Sequence, residues 1–400
     1  MNAEIQVGII GCGLRVTYLA KELFRRHPNI RLTALCDPNP SSIRTASEAL
    51  NFCGTVHEDY HALVEAEDVN WVMIGSWNCY HAEQAIAAMR AGKGVFCEKP
   101  LATTFEDCIA MRNVWEHTGV PFYIGFTLRH APLYRRVKAL IDEGFVGRLV
   151  SLEFNETLSF NHGGYIHGDW RRLRENAGSH LLEKCCHDID VANWMTGSMA
   201  RFAASFGGTD FFTPENKHHA SRLGPSSSGV PAYQSFPGGQ NPFHDAKDIV
   251  DNQVAILEYF NGVRASFHTN CNSGLPERRL YINGTEGAIR ADLLPGKIEA
   301  ARIGWDEPVL TYSAAGGGHG GGDEVLVAEL GRCMVTGNTP EVGMQEGLLA
   351  AATCFGIDCA MDERSVVEMA RFWDRAGVES GGKEKSTSKL NSIGTLEVSL

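Results

Sequence analysis

The first 125 residues alternate continuous apolar segments with segments of helical periodicity, and this alternation restricts the fold more than any other feature. The apolar segments are "IQVGII", "IRLTALC", "NWVMIGS", "GVFCEK" and "PFYIGF". The segments between them include "LRVTYLAKELFRR", "YHAEQAIAAMRAG" and "FEDCIAMRNVWEHTG", which repeat apolar residues at helical spacing. Strands without polar alternation, separated by helices, predict a parallel sheet that is covered on both faces.

After residue 130 the pattern changes to alternating strands. The segments "DNQVAILEYF" and "VRASFHTNC" are joined by Asn261-Gly262, and "RRLYIN" and "GAIRAD" flank Asn283-Gly284. Asn-Gly between alternating segments is a strong hairpin signal. Two helical segments follow, at 323–337 and 342–360. The pattern therefore predicts an α+β domain built on an open, mostly antiparallel sheet.

Charge and composition exclude several classes of protein. The net charge is −12, which argues against a nucleic-acid binder and against binding to an anionic membrane surface. No apolar run approaches the roughly 18–20 residues of a membrane span, and the N-terminus lacks a basic leader. The 12 cysteines lie mostly in apolar patterns without zinc-site spacing. We therefore expect a cytoplasmic protein with no nucleic-acid partner, no membrane partner and no metal.

A glycine-containing turn follows the first predicted strand. In "VGIIGCGLRV" the strand ends at Gly11-Cys12-Gly13 and a helix begins at Leu14. Gly11 allows a tight turn, and Gly13 lets the backbone approach a pyrophosphate at the helix N-terminus. Val16 takes the place of the third glycine of the usual fingerprint. The context predicts a dinucleotide site, and the alternative is an ordinary tight strand-to-helix turn.

An acid ends the second predicted strand and bears on the choice of cofactor. Asp37, in "LTALCDPNP", is placed to bind the ribose hydroxyls of an adenosine and to repel a 2′-phosphate. This favours NAD as the cofactor over NADP. Two alternatives stay open at this stage: Asp37 as a turn residue before proline, and Arg15 as a partner for a phosphate.

The segment "GSWNCYHAEQAIAAMRAGKGVFCEKPLA" carries a resemblance to a known family. It has Asn78, His81, Ala91-Gly92-Lys93 and Glu98-Lys99-Pro100 at the spacing typical of the glucose–fructose oxidoreductase / inositol dehydrogenase / MocA superfamily, which it resembles. It departs from that pattern at Ser76-Trp77, where Thr-Pro is commoner. The resemblance extends to Gly125, Phe126 and Arg129, to "HDID" and to "GHGGGDE".

The resemblance implies where the cofactor and the catalytic lysine lie. In the family the Lys of "EKP" reaches the nicotinamide ribose and the substrate hydroxyl, and the Pro can be cis. Charges at the carboxyl end of a parallel strand also lie where open α/β sheets bind ligands; the alternative is a surface ion pair. The expected cofactor-binding residues are Gly11, Cys12, Gly13, Leu14, Arg15, Asp37, Ser76, Trp77, Asn78, His81, Glu98, Lys99, Pro100 and Thr127.

A second candidate site lies in "SHLLEKCCHDID". His180, Glu183, His187 and Asp190 are three or four residues apart, so a regular helix would place them on one face. The family has Asp four residues before a His here; His187 matches that His, and Glu183 replaces the Asp. His187 is the expected general base and Glu183 its support, with Lys184 beside them as a partial substitute. A metal held by this face is an alternative that we do not favour.

Four residues are expected near the substrate. Trp170 and Arg171, in "HGDWRRL", match a Trp-Arg pair that the family often places near substrate, and they suit the face and the oxygens of a sugar. Arg129 and His180 are the other two. A loop anchor is the alternative role for Trp170 and Arg171.

The predicted organisation is a Rossmann domain at 1–128, an α+β substrate-binding and oligomerisation domain at 129–376, and a tail at 377–400. A Gly-, Pro- and Ser-rich excursion at 207–247 is expected to bury little apolar surface by itself and to gain order from a neighbouring subunit or ligand. Its expected anchoring residues are Phe211, Phe212, Tyr233 and Phe236.

The predicted function is an NAD(P)-dependent oxidoreductase that transfers a hydride between nicotinamide and a hydroxyl-bearing carbon of a sugar, a polyol or a related cyclic substrate. The catalytic residues would be Lys99, His187 and Glu183. The chain would form a homodimer or a homotetramer through its C-terminal sheet. Two alternatives remain: an NAD-dependent glycosidase without net redox chemistry, and a non-catalytic dinucleotide-binding sensor.

Overall fold

The computed structural model describes residues 4–234, 241–244, 246–314 and 316–378. The first part of the chain alternates strands and helices: β1 (Ile5–Ile10), α1 (Leu14–Arg26), β2 (Ile30–Cys36), α2 (Pro40–Leu50), β3 (Thr55–His57), α3 (Tyr60–Glu65), β4 (Trp71–Ile74), α4 (His81–Arg90), β5 (Gly94–Cys97), α5 (Phe105–Thr118) and β6 (Phe122–Ile124). The six strands form one parallel sheet in the order β3-β2-β1-β4-β5-β6. This is the Rossmann strand order, so the predicted fold of the first domain is confirmed.

Burial on both faces explains why these strands are continuously apolar. Val7 and Ile9 of β1 point into one core with Leu19 and Leu23 of α1. Ile10, on the opposite face, belongs to the other core. Because successive side chains of a strand point to opposite faces, both faces of β1 need apolar residues. The carboxyl ends of β1, β2, β4 and β5 then meet at one edge of the sheet.

The rest of the chain forms a second sheet with helices: α6 (Pro132–Asp142), β7 (Leu149–Ser159), α7 (Phe160–Gly168), α8 (Arg174–Ala177), α9 (Cys186–Thr196), β8 (Ala200–Gly208), α10 (His218–Leu223), β9 (Asn252–Tyr259), β10 (Arg264–Ser273), β11 (Arg279–Gly284), β12 (Gly287–Asp292), β13 (Lys297–Arg302), β14 (Leu310–Ser313), α11 (Gly322–Thr336), α12 (Met344–Glu363), β15 (Val367–Glu368) and α13 (Ala370–Arg375). The strand order is β14-β13-β12-β11-β7-β10-β9-β8-β15. Every pair is antiparallel except β7 with β10, so the predicted mostly antiparallel sheet is confirmed.

The two Asn-Gly signals have different outcomes. Asn261-Gly262 lies in the turn between β9 and β10, with Gly262 at φ +83°, as predicted. The turn predicted at Asn283-Gly284 is wrong, because both residues belong to β11 and the turn falls at 285–286. A Cβ on Gly284 would lie 2.1 Å from the carbonyl oxygen of Val146. Close backbone approach, not turn geometry, requires glycine there.

Helix α11 returns the chain to the first domain. Leu326 and Leu330 of α11 are fully buried in the same core as Val16 and Leu19 of α1. The sequence-based ranges placed this helix in the second domain, yet it packs on the Rossmann sheet. Its N-terminal end therefore lies beside the dinucleotide turn.

Part of the excursion between β8 and β9 packs into a small apolar cluster shared with the second domain. Phe212, Tyr233 and Phe243 are at most 3% exposed and pack with Leu158 and Ile166 of the second domain. These residues of the excursion are therefore buried against the second domain of the same chain, and order gained from a neighbouring subunit or ligand stays a prediction. Phe211, another predicted anchor, packs partly buried against this cluster, and Phe236 lies outside the described residues.

The buried carboxylate of Asp251 accepts hydrogen bonds from the backbone N–H groups of Asp210, Phe211 and Phe212, which fixes the start of the excursion. None of the described helices has the length and apolar character of a membrane span.

Candidate active site

The strand-to-helix turn after β1 has the geometry of a dinucleotide site. Gly11 has φ +79°, and a Cβ there would lie 2.3 Å from the backbone nitrogen of Ser76. A Cβ on Gly13 would meet only the carbonyl oxygen of Gly75, at 3.7 Å. The first glycine is therefore required by the turn, whereas the second leaves the N-terminus of α1 open to a pyrophosphate.

Asp37 lies in a cavity of about 400 Å³ at the ends of β1 and β2. Its Oδ2 accepts the backbone N–H of Cys12 at 2.7 Å, and its Oδ1 accepts that of Asn39 at 2.7 Å. Each carboxylate oxygen keeps acceptor capacity for a ribose hydroxyl. Gly11, Ser76 and Trp77 line the same cavity. The residues present therefore fit an adenosine with free ribose hydroxyls.

Arg15, the suspected phosphate partner, is held elsewhere. Its Nε donates to Glu98 at 3.1 Å, and its Nη2 donates to Thr127 at 2.8 Å and to Asp323 at 2.7 Å. None of these three partners lines the cavity that contains Asp37. Two carboxylates and a hydroxyl therefore fix the guanidinium at the other end of the cleft, which removes the objection that Arg15 would favour NADP.

A second cavity, of about 480 Å³, opens between the two domains. Most of the predicted site residues line it: Gly13, Leu14, Arg15, Ser76, Trp77, Asn78, His81, Glu98, Lys99, Trp170, Arg171 and Glu183. Ser76 and Trp77 line both cavities. The two cavities are thus the two ends of one cleft, which passes the open side of the glycine turn.

Lys99 and Glu183 meet across the domain boundary. Lys99 Nζ donates to the carbonyl oxygen of Glu183 and lies 3.4 Å from its Oε1, while Arg171 Nε donates to the same Oε1 at 3.1 Å. Burial raises the pKa of Glu183, but the charges of Lys99, Arg171 and Lys184 outweigh it and hold that pKa well below its usual range. Glu183 is therefore a carboxylate that fixes two cations at the cavity wall.

A π-helical turn at Leu181–Cys185 makes this contact possible. This wider turn lies immediately before α9 and interrupts the regular pattern of α-helical backbone hydrogen bonds. The carbonyl oxygen of Glu183 lies in this turn and accepts the hydrogen bond from Lys99. Such π turns occur frequently at functional sites.

His187 is a buried, neutral imidazole beside this group. It is 4% exposed, and its ring meets Phe126 edge-on at 5.8 Å between centroids. Burial first, and then the charges of Lys99 and Arg278, hold the pKa of His187 well below its usual value. Nδ1 of this ring has no hydrogen-bond partner among the described residues. A neutral imidazole with an unused nitrogen is suited to accept a proton.

The predicted common face of four ionisable residues is wrong. His180 lies against Thr269 and Cys271, with Nε2 3.3 Å from Thr269 Oγ1. Asp190 accepts both arms of Arg129, at 2.7 and 2.8 Å. The π turn shifts the helical phase, so residues before and after it no longer align. Neither His180 nor Arg129 lines the two cavities.

The one group of potential metal ligands in the described residues comprises Glu156, Cys185 and Asp188. Arg278 donates to both oxygens of Asp188 at 2.7 Å and pairs with Glu156. The Arg278 guanidinium therefore occupies the position that a metal ion would take beside these carboxylates. Lys184, which we expected to assist His187, instead lies 3.3 Å from Glu156.

Asn78 and His81 stabilise the loop after β4. The ring nitrogens of His81 lie 2.8 Å from the carbonyl oxygen of Pro100 and 3.2 Å from that of Ser76. Asn78 Nδ2 donates across the domain boundary to the carbonyl oxygen of Ala177 at 2.9 Å. The Lys99–Pro100 peptide bond is cis. The hydroxyl of Thr127 accepts a hydrogen bond from Arg15, and the backbone N–H of Cys12 donates a hydrogen bond to Asp37.

Two tryptophans join the domains above the cleft. The rings of Trp77 and Trp170 stack with centroids 5.1 Å apart and an interplanar angle of 11°. The Arg171 guanidinium lies over the Trp170 ring at 4.2 Å, and over that of Tyr165 at 4.8 Å. The cavity therefore has an aromatic wall with a cation fixed against it.

Sequence reasoning missed His319 and Asp323 as site residues. The His319 ring centroid lies 6.0 Å from that of His187, and Asp323 binds both His319 and Arg15. The signal was present in "GHGGGDE", which we used only as part of the resemblance.

Two family models match this chain. Residues 5–126 match the model of the oxidoreductase family with an NAD-binding Rossmann fold, and residues 134–290 match the GFO/IDH/MocA C-terminal domain.

Three curated relatives are similar along most of the chain. A 2,7-anhydro-N-acetylneuraminate hydratase of Escherichia coli is 27% identical over 72% of this chain and 68% of its own length. An inositol 2-dehydrogenase/D-chiro-inositol 3-dehydrogenase of Lactiplantibacillus plantarum is 27% identical, covering 76% and 77%. A levoglucosan dehydrogenase of Pseudarthrobacter phenanthrenivorans is 28% identical, covering 72% and 73%.

Among solved structures, a levoglucosan dehydrogenase in complex with NADH and levoglucosan has a TM-score of 0.75 at 21% identity, covering 91% of this chain and 99% of that chain. This similarity supports the two-domain fold. The two family models, which together cover most of the chain, show that it belongs to the Gfo/Idh/MocA family of NAD-binding oxidoreductases.

Proposed function

We propose that this protein is an NAD-dependent dehydrogenase that transfers a hydride between nicotinamide and a hydroxyl-bearing carbon of a sugar or polyol. The observation that carries this proposal is the contact of Lys99 with Glu183, in a cavity between the domains and beside the neutral imidazole of His187. Oxidation of an alcohol needs a group that accepts the hydroxyl proton, which a neutral imidazole can do, and a fixed ammonium can donate a hydrogen bond to the oxygen as its negative charge develops.

Each residue has a role that follows from its contacts. When bound, the nicotinamide supplies a two-electron hydride acceptor. Asp37 binds the ribose hydroxyls of the adenosine, and the N-terminus of α1 binds the pyrophosphate. Lys99 donates a hydrogen bond to the substrate oxygen, and His187 accepts the hydroxyl proton. Glu183 keeps Lys99 and Arg171 in place.

The substrate class follows from the wall of the inter-domain cavity. Trp170 and Tyr165 offer aromatic faces, and Arg171 offers donors between them. Aromatic rings suit the C–H face of a cyclic sugar, and a guanidinium suits its oxygens. Relatives that are named for inositol and levoglucosan support a cyclic polyol or an anhydrosugar as substrate.

A reaction without net redox chemistry is the second candidate. It is favoured by the relative named as a hydratase of 2,7-anhydro-N-acetylneuraminate. In such a reaction the cofactor would be reduced and reoxidised within one cycle, with the same Lys99 and His187. A non-catalytic sensor would need neither of these residues.

We also propose a homodimer or homotetramer assembled through the second sheet. Phe206, Val254 and Ile256 are 67%, 46% and 65% exposed on the outer face of β8 and β9, where Phe206 pairs with Val254. An apolar patch on an open sheet is typical of an interface. Light scattering of wild type and Ile256→Lys tests the assembly; a monomeric wild type would contradict it.

We place the protein in the cytoplasm, a proposal supported by 12 cysteines that are all free thiols.

The function is tested by a thermal-shift screen with NAD, NADP and a panel that includes inositol and levoglucosan, followed by absorbance of the reduced cofactor. A dehydrogenase accumulates NADH with a panel member, and Lys99→Ala does not. Conversion of substrate without accumulated NADH would favour the second candidate. Binding of NAD with no conversion of any panel member would favour a sensor.

A further inference from the structure

His319 adopts a left-handed backbone conformation, which few non-glycine residues adopt. It lies in the glycine run 316–322 at φ +50°, directly before Gly320 and Gly321, which also have positive φ. A non-glycine residue is strained there, and such strain is concentrated at functional sites. The surrounding glycines are needed for packing: a Cβ on Gly318 would lie 2.3 Å from Oδ2 of Asp323. The backbone thus brings His319 and Asp323 together.

Asp323 fixes the orientation of the His319 ring. Its Oδ2 lies 3.2 Å from His319 Nδ1, and its Oδ1 accepts from Arg15 Nη2 at 2.7 Å. Although burial raises the pKa of Asp323, the hydrogen bonds from His319 and Arg15 hold it well below its usual range. An ionised carboxylate only accepts hydrogen bonds, so the proton of a neutral His319 lies on Nδ1 and its Nε2 is a free base.

His319 also connects the buried base with solvent. In the part of the chain that the structure describes, the aromatic rings beside His187 are those of Phe126 and His319, and of these two only His319 can carry a proton. The side chain of His319 is 32% exposed, whereas His187 is 4% exposed. A centroid separation of 6.0 Å allows transfer between the rings through one intervening water.

We propose that His319, oriented by Asp323, passes to solvent the proton that His187 takes from the substrate. The step rests on the proposed function. Oxidation of the alcohol by NAD breaks one C–H and one O–H bond and yields a carbonyl, NADH and one proton. The hydride leaves on the cofactor, and the proton leaves from His187 through Nε2 of His319 to a water or buffer molecule. His319 is a positioning residue for the reaction, because it acts through His187.

The charged groups around His319 keep it able to accept a proton. Asp323 faces it from α11, Arg15 from α1, Lys184 from the π turn and His187 from α9. Burial, and then the charges of Arg15 and Lys184, lower its pKa, and Asp323 opposes them in part. The ring is therefore neutral near pH 7.

The kinetic test compares His319→Gln with His117→Gln, which removes an exposed histidine from the last turn of α5. With NAD and inositol or levoglucosan, we expect kcat of His319→Gln to fall at least about tenfold and to recover as imidazole buffer is raised at constant pH. NADH affinity should not change. An unchanged kcat, or a loss that imidazole does not restore, would overturn the proposal. A wild type that forms no NADH from either substrate counts against the proposed function instead.

A second measurement decides the proposal without a substrate. NMR of nitrogen-labelled histidine in the NADH complex reports which nitrogen of His319 carries the proton, and His319→Gln assigns the signal. We expect the Nδ1–H form in wild type and its loss in Asp323→Asn. An Nε2–H form in wild type would overturn the relay.

Discussion

The two ends of the cleft are built in different ways. At the adenosine end, Gly11, Cys12 and Asp37 directly follow the neighbouring strands β1 and β2, and backbone N–H groups fix the carboxylate. At the catalytic end, Lys99 and Glu183 come from different domains and are 84 residues apart. The first end depends on local turn geometry, and the second on compensation among buried charges. Substitutions should therefore change cofactor choice at one end, and turnover and stability at the other.

The largest expected effect is on turnover. Lys99→Ala should lower kcat by about a hundredfold or more, because the substrate oxygen loses its donor. NAD affinity should change much less, since Asp37 and the glycine turn are untouched. Steady-state kinetics and cofactor titration on the same sample check both. Lys297→Ala, at an exposed position of β13, is the control. Near-wild-type turnover of Lys99→Ala would leave Lys99 as a structural ion-pair residue.

Glu183→Gln should mainly destabilise the fold. The substitution leaves Lys99 and Arg171 without their shared carboxylate at an 8% exposed site, and we expect a loss of about 3 kcal/mol in the free energy of unfolding. The folded pKa of Glu183 is below its unfolded value of about 4.3, so its contribution is present above that pH and is lost as the pH falls.

Denaturant titrations of wild type and Glu183→Gln at several pH values test whether the contribution of Glu183 to the free energy of unfolding is lost as the pH falls. The difference between the two proteins should shrink as the pH falls below about 4. A difference that is constant with pH would show that Glu183 does not act through its charge.

His187 should shape the acid side of the pH profile. Its lowered pKa means that the imidazole stays neutral through pH 7 and is protonated only well below its usual pKa of about 6.5. A histidine with its ordinary pKa would place this change near neutrality; burial first, and then the charges of Lys99 and Arg278, move it to lower pH. kcat/KM should fall on the acid side in wild type, and His187→Ala should lack that fall. The same acid limb in His187→Ala would assign it to another group.

Asp37→Ser should change selectivity by about tenfold. Wild type should bind NAD at least about tenfold more tightly than NADP, because a 2′-phosphate would meet the carboxylate as a like charge, and 1.4 kcal/mol is a factor of ten. The variant should weaken NAD and improve NADP. Glu58→Gln removes another carboxylate from the same cavity and serves as the control. Equal affinities of wild type for the two cofactors would reduce Asp37 to a turn residue.

The smallest expected effect concerns the stacked tryptophans. Trp170→Ala should weaken NADH binding by a few-fold, since an aromatic pair contributes about 0.5–1.5 kcal/mol. The fully exposed Trp305, at 98%, provides the control Trp305→Ala. Fluorescence titration measures both variants. Identical affinities would show that the stack closes the domains without affecting the cofactor.

The contrast between local contacts at the adenosine end and long-range contacts at the catalytic end also explains which features can be predicted from the sequence. The Rossmann strand order and the glycine turn are local or periodic features, and the sequence predicts them. Lys99, Glu183 and His187 were identified through the resemblance. The partners of Arg15, and the different hydrogen-bond partners of His180 and Glu183, depend on a π turn and on contacts between distant segments. His319 was missed because a histidine in a glycine run looks like a loop residue until Asp323 is placed beside it.

The most direct test of hydride transfer follows deuterium. A polyol from the panel, deuterated at the carbon that bears the reacting hydroxyl, is incubated with NAD and the enzyme, and the cofactor is examined by mass spectrometry. The account predicts deuterium in the nicotinamide ring for wild type and for Asp37→Ser, and its appearance about a hundredfold or more slowly for Lys99→Ala. Conversion of the polyol with no deuterium in the cofactor would contradict it.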